Sequence, residues 1–126
     1  MTDEIRIVEQ MYGWFNARDI DGVLNLLADD VAWANGMDGG HVHGHDALRD
    51  YWTRQWAVII PHVAPVGFQQ GDDGAVVAEV IQTIRDLDGK PLHAQTHGLE
   101  DKTVGHVFRF RDGKVVRFDI QDIHEG

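Results

Sequence analysis

The chain predicts an α+β fold: a cone-shaped, curved antiparallel sheet packed on three N-terminal helices and enclosing a pocket. Three observations carry that expectation. Apolar residues recur at helical spacing as far as Trp56 and change to strict alternation after Pro61. Gly71-Asp72-Asp73-Gly74, Asp88-Gly89 and Asp112-Gly113 punctuate the second half as turns. Helices first and a meander afterwards is the order of an α+β domain. With 126 residues, 43% of them hydrophobic, the chain closes one core and reads as a single domain, 1–126.

Ile5, Val8, Met11, Tyr12 and Phe15 form one stripe of a first helix between Asp3 and Arg18. Asp19 is a natural N-cap for a short second helix carrying Ile20, Val23, Leu24 and Leu27, which ends near Asp29 and Asp30. Val31 and Trp33 alternate with Ala32 and Ala34 as a brief strand, broken by Gly36 to Gly40. A third helix runs from Asp46, offering Leu48, Tyr51, Trp52, Gln55 and Trp56 to one broad face. Strands follow over Val63 to Phe68, Ala75 to Arg85 and Leu92 to His97.

The last two strands lie within Thr103 to Ile123 and flank Asp112-Gly113. Val104, Phe108 and Phe110 share a face of one, and Val116, Phe118 and Ile120 a face of the other. His106 interrupts the first apolar row, a titratable group where packing alone favours a hydrophobe. A three-residue loop, Arg111 to Gly113, turns both rows inward and sets His106 opposite Phe118. In that register Asp122 is also inward, roughly 14 Å along the strand. A two-residue turn instead sets His106 opposite Asp119 and mixes core with charge.

A net charge of -10 with only 11 Lys and Arg argues against nucleic acid and against anionic membrane surfaces as partners. The absence of cysteine excludes disulfides, thiolate metal ligands and cysteine nucleophiles. The acidic start Met1-Thr2-Asp3-Glu4 and the lack of any membrane-length apolar run make a cytoplasmic protein the expectation. No phosphate loop, nucleophile elbow or dinucleotide fingerprint is found, so cofactor-independent chemistry is expected.

The Arg18-Asp19-Ile20-Asp21 and Leu27-Ala28-Asp29-Asp30-Val31 segments, the helix start Gly44 to Trp52 and the final Phe108-Arg109-Phe110 strand together resemble the nuclear-transport-factor-like superfamily. Within it the chain is similar to SnoaL-like polyketide cyclases and ketosteroid isomerases. The resemblance spans nearly the whole chain and implies the fold; the superfamily holds several reactions and proteins with none. The general-base Asp of the isomerases falls on Asn35, which cannot take a proton as a carboxylate does. Their oxyanion-hole Asp falls on His106, which still donates a hydrogen bond. Their first-helix Tyr falls on Met11, one residue before Tyr12, and their supporting tyrosines fall on Leu27 and Trp52. The resemblance also implies a homodimer through the outer sheet face, with Val107, Arg109, Arg117 and Asp119 as candidates. The segment Leu92 to Lys102 reads as an inserted hairpin or loop that covers the pocket mouth or meets a partner subunit.

The candidate catalytic residues are therefore His106, Asn35, Tyr12 and Asp122, and the candidate ligand-lining residues are Trp33, Trp52, Trp56, Met11, Phe108 and Phe118. Each has a packing alternative: His106 as a hydrogen-bonded core histidine, the tryptophans as core filler, Asn35 as a turn residue before Gly36, Asp122 as an ion-pair partner of Lys102. No metal site is assigned, because the His41-Val42-His43-Gly44-His45 run reads as a solvated, glycine-flanked loop. The expected ligand is a small, largely apolar carbonyl compound and the expected chemistry is proton transfer, by isomerisation, cyclisation or dehydration. The competing readings are a non-catalytic ligand-binding domain that keeps the cavity without the base and, behind it, a metal-dependent enzyme using the histidine-rich loop.

Overall fold

The computed structural model describes residues 3–35, 40–71, 73–89 and 102–122. The apolar stripe of α1 (Asp3–Asn16) buries Val8, Met11 and Tyr12 against the sheet, with Ile5 and Phe15 partly covered beside them. The helix stops where Arg18 turns left-handed, φ 61°, and lets the Asp19 N–H donate to the Trp14 carbonyl at 2.9 Å. Asp19 then caps α2 (Ile20–Leu24), its carboxylate accepting from the Gly22 N–H at 2.9 Å.

The second helix is shorter than the sequence suggests. Leu24, Leu27 and Ala28 satisfy helical spacing, but Leu27 already opens β1 (Leu27–Ala34). Tertiary pairing overrides the local period: Leu27 registers with Val115 in parallel, and the Val115 N–H donates to the Leu26 carbonyl at 3.0 Å. The histidine run is likewise a strand, β2 (His41–His43), antiparallel to β1 with Trp33 opposite Val42. Gly44, at φ 85°, then turns the chain into α3 (His45–Gln55), which buries Leu48, Tyr51, Trp52 and Gln55.

The remaining strands are β3 (Ile60–Gln70), β4 (Val76–Arg85), β5 (Lys102–Arg111) and β6 (Lys114–Asp122). The six-stranded sheet has the order β2-β1-β6-β5-β4-β3, antiparallel at every junction but β1 with β6. β3 is longer than expected and contains Pro61 and Pro65, which an edge strand tolerates because its outer N–H groups need no ladder partner. Asn16 of α1 supplies that outer edge with a partner at Val63, its amide N–H donating to the carbonyl at 2.8 Å and its amide oxygen accepting from the N–H at 3.0 Å. The expected strand Leu92 to His97 lies outside the described residues.

The terminal hairpin corrects the register inferred from sequence. Arg111 pairs with Lys114, so the turn has two residues, Asp112 at φ 53° and Gly113 at φ 81°. A β-bulge between Phe110–Val115 and Arg109–Arg117 leaves Val116 as the extra residue and restores the inward phase. Phe108 therefore faces Phe118, His106 faces Ile120, and Val115 rather than Val116 joins the core. Asp122 registers opposite Val104, two residues beyond Ile120, about 7 Å at strand rise rather than 14 Å.

Gly22 has a structural reason of its own, because a Cβ there would come within 2.6 Å of Trp14 Cδ2 and 2.7 Å of Cγ. Alanine normally improves a helix by up to about 1 kcal/mol over glycine. Here Gly22→Ala is expected to reverse that sign and cost about 1–2 kcal/mol by overpacking against the indole. Chemical denaturation of Gly22→Ala and of Gly22→Ala/Trp14→Ala measures it, and a stabilised single variant would show that the indole yields without cost.

Candidate functional site

The inward rows of the sheet and the buried faces of α1 and α3 enclose one aromatic cavity. Met11, Tyr12 and Phe15 line it from α1, and Tyr51, Trp52 and Gln55 from α3. Trp33, Gln82, His106, Phe118 and Ile120 line it from the sheet, with Pro61, Val63 and Ile84 beside them. Its volume among the described residues is about 60 Å³. That is well below the roughly 150 Å³ that accepts benzene in an engineered apolar cavity, so a ring-sized ligand enters by displacing side chains. Ile120 is the exposed one, at 39%.

His106 is 5% exposed, with its ring edge-on to Phe118 at 4.8 Å between centroids. The Tyr12 hydroxyl lies 2.9 Å from its Nδ1. Burial pushes the imidazole down from 6.5 to about 3 and pushes the Tyr12 phenol up, so both groups are neutral at physiological pH. A buried phenol proton needs an acceptor, and among the described residues Nδ1 is the one Tyr12 has. That bond makes Nδ1 the acceptor and leaves the ring proton on Nε2. The pair is therefore a neutral relay of hydrogen bonds whose outer end is an N–H donor. An imidazolium here would be a charge in a dry aromatic site, which disfavours His106 as a general base.

From His106 the rings continue through Phe118, stacked on Trp33 at 4.0 Å, to Trp52, edge-on to Trp33 at 5.2 Å. Behind Trp52 stands Trp56, stacked at 5.8 Å, with Phe15 edge-on to both. Of the expected ligand-lining residues, Met11, Trp33, Trp52 and Phe118 face the cavity. Phe108 is fully buried beneath it and Trp56 is a backing layer. Asn35 follows β1 with its N–H donating to the Gly40 carbonyl at 2.9 Å and is not among the lining residues. The Asp122 side chain lies outside the described residues.

The cavity also holds polar groups the sequence reading did not single out. Gln55 donates to the Tyr51 hydroxyl at 3.0 Å, and Gln82 is buried in the inward row of β4 between Val80 and Ile84. Gln82 breaks an apolar row in the way His106 does, so the same parity test would have found it. The histidine run is directed elsewhere: His41 Nε2 lies 2.7 Å from Asp119 Oδ1 and His45 Nε2 3.0 Å from the Leu27 carbonyl.

A neutral buried histidine ties stability to pH. Its folded-state value lies below its unfolded one, so the unfolded chain binds the proton first and stability falls as pH drops from about 6.5 towards 3. The folding equilibrium is expected to fall by up to about tenfold per pH unit from this group. Denaturation between pH 6.5 and 4.5 should show a shallower dependence in His106→Gln, and equal slopes would remove the buried neutral imidazole from the account.

Comparison with known proteins places these features in a family. The SnoaL-like domain matches over residues 8–118. A nuclear-transport-factor-like protein of unknown function from Burkholderia pseudomallei K96243 is 27% identical, with a TM-score of 0.79 over 98% of this chain and 92% of its own. TerC, co-crystallised with polyporic acid, is 25% identical with a TM-score of 0.79, over 97% and 92% of the two chains. A provisionally assigned polyketide cyclase from Xanthomonas campestris pv. campestris is 25% identical with a TM-score of 0.74, over 94% and 88%. No curated protein matches the chain. The α+β cone, its element order and the family match agree, and the chain belongs to the SnoaL-like domain family.

Proposed function

We propose that the cavity binds a compact, neutral, largely apolar carbonyl compound and polarises its oxygen through His106 Nε2–H. The Tyr12–His106 pair carries this reading: it is a neutral, buried donor at the wall of an aromatic cavity, where a hydrogen bond to developing oxyanion charge is strongest. The reaction class that uses such a donor without a cofactor is proton transfer beside the carbonyl, as in isomerisation, aldol-type cyclisation or dehydration. Asp122, by its register opposite Val104, is the carboxylate we assign as base. The net charge of -10 favours a neutral ligand over an anionic one. TerC's co-crystallisation with polyporic acid supports a small-molecule role for this fold.

A second reading, a ligand carrier without chemistry, is favoured by one observation: among the described residues no carboxylate lines the cavity. Deuterium uptake at the carbon next to the carbonyl of cyclohex-2-enone and 4-hydroxyacetophenone, followed by NMR, separates the two. Catalysed uptake is expected, reduced about a hundred- to a thousandfold in His106→Ala and strongly in Asp122→Asn. Binding without uptake above buffer would leave the carrier reading standing.

Self-association through the outer sheet face belongs to the same proposal. Val107 and Asp119 pair across β5 and β6 there, next to Arg109 and Arg117, and Arg117 Nε donates to Asp119 at 2.8 Å. Sedimentation is expected to show a dimer that weakens in Val107→Glu, and a monomer at high concentration would end that assignment.

A further inference from the structure

Besides Gln82, the described cavity lining carries two hydrogen-bonded polar pairs, and the second is unused by the function proposed above. One pole is Tyr12–His106, where α1 meets the sheet; the other is Tyr51–Gln55, one turn apart on α3. From His106 the rings of Phe118, Trp33 and Trp52 follow in successive contact, at centroid distances of 4.8 Å, 4.0 Å and 5.2 Å, and line the same cavity as Tyr51 and Gln55. The two pairs thus share an aromatic-lined cavity, in which the stacked Phe118 and Trp33 offer ring surface to a flat molecule.

Gln55 is costly as a packing residue. It is 4% exposed on a helix whose other buried members are Leu48, Tyr51 and Trp52. Immobilising its long side chain forfeits rotamer entropy, and its amide must be satisfied away from bulk water. Leucine or methionine would fill the same space with no polar group to satisfy, and leucine with less entropy lost. Among the described residues its side-chain hydrogen bond is to Tyr51, which turns the amide along the same cavity wall as the hydroxyl. An amide can donate twice and accept twice, so that one bond leaves capacity for a ligand oxygen.

We infer that the ligand is a flat compound of about one ring, oxygenated at both ends, with one oxygen addressed by the Tyr12–His106 pair and the opposite one by the Tyr51–Gln55 pair. This rests on the reading of the cavity as a carbonyl site and adds Gln55 as a specificity-determining residue. A monofunctional ketone satisfies one pole and leaves a buried amide facing an apolar ring edge. A hydroxyaryl ketone or a dione satisfies both.

The test compares 4-hydroxyacetophenone with acetophenone by quenching of the intrinsic tryptophan fluorescence, in wild type, Gln55→Met and Tyr51→Phe. Wild type is expected to prefer the hydroxylated ligand by about three- to tenfold, the worth of one hydrogen bond. Gln55→Met should abolish the preference while leaving acetophenone binding within about twofold, and Tyr51→Phe should reduce it. Thermal melts establish that both variants are folded, and the ratio of two affinities is insensitive to a general loss of stability. Equal binding of the two ligands by wild type, or a preference that survives in Gln55→Met, overturns the two-pole inference and leaves the carbonyl site intact. Failure of both ligands to bind wild type overturns the carbonyl site itself.

Discussion

One hydrogen bond, from the Tyr12 phenol to His106 Nδ1 at 2.9 Å, joins the first helix to the centre of the sheet and defines the chemistry of the cavity between them. Its two members come from opposite ends of the chain, so the site exists only when the whole fold has closed. Burial holds both neutral, Tyr12 by raising its pKa and His106 by lowering it. The bond then decides which nitrogen keeps the proton. A lone histidine in the same place could present either face to a ligand; this one is committed to donating.

The surroundings sustain that commitment. Phe118 and Phe108 meet the imidazole edge-on, and Tyr12 stacks against it with ring centroids 5.9 Å apart. Together they exclude water from the ring while the net charge of the protein remains on its exterior, in pairs such as Arg49–Asp21 and Arg111–Asp30. Those exposed pairs contribute little to stability individually. Their physical importance is that the acidic surface and the neutral interior are kept apart, which is the basis for proposing a neutral ligand although the molecule as a whole is strongly anionic.

Much of this was legible in the residues. The stripe of α1, the strand periods after Pro61 and the break in the apolar row at His106 all follow from local spacing, and they led to the correct fold and to the histidine. What was hidden depended on partners distant in sequence. Leu27 joins a strand because Val115 lies beside it, and the short β2 forms because β1 offers an edge. The hairpin register turned on a bulge at Val116, which sets Phe108 against Phe118, 5.1 Å between centroids. Gln82 escaped notice, and Gln55 was read only as part of the broad face of the third helix, for another reason: amides carry no charge, so a search aimed at titratable groups passes over them.

The clasp of Asn16 on Val63 has a consequence for entry to the cavity. It ties one wall of the cavity, where Val63 is itself a lining residue, to the long first helix through two hydrogen bonds. Ile120, another lining residue, is held by strand pairing and open to solvent. The lining is thus pinned where Val63 stands, and the clearance a guest requires comes from side chains elsewhere around the cavity.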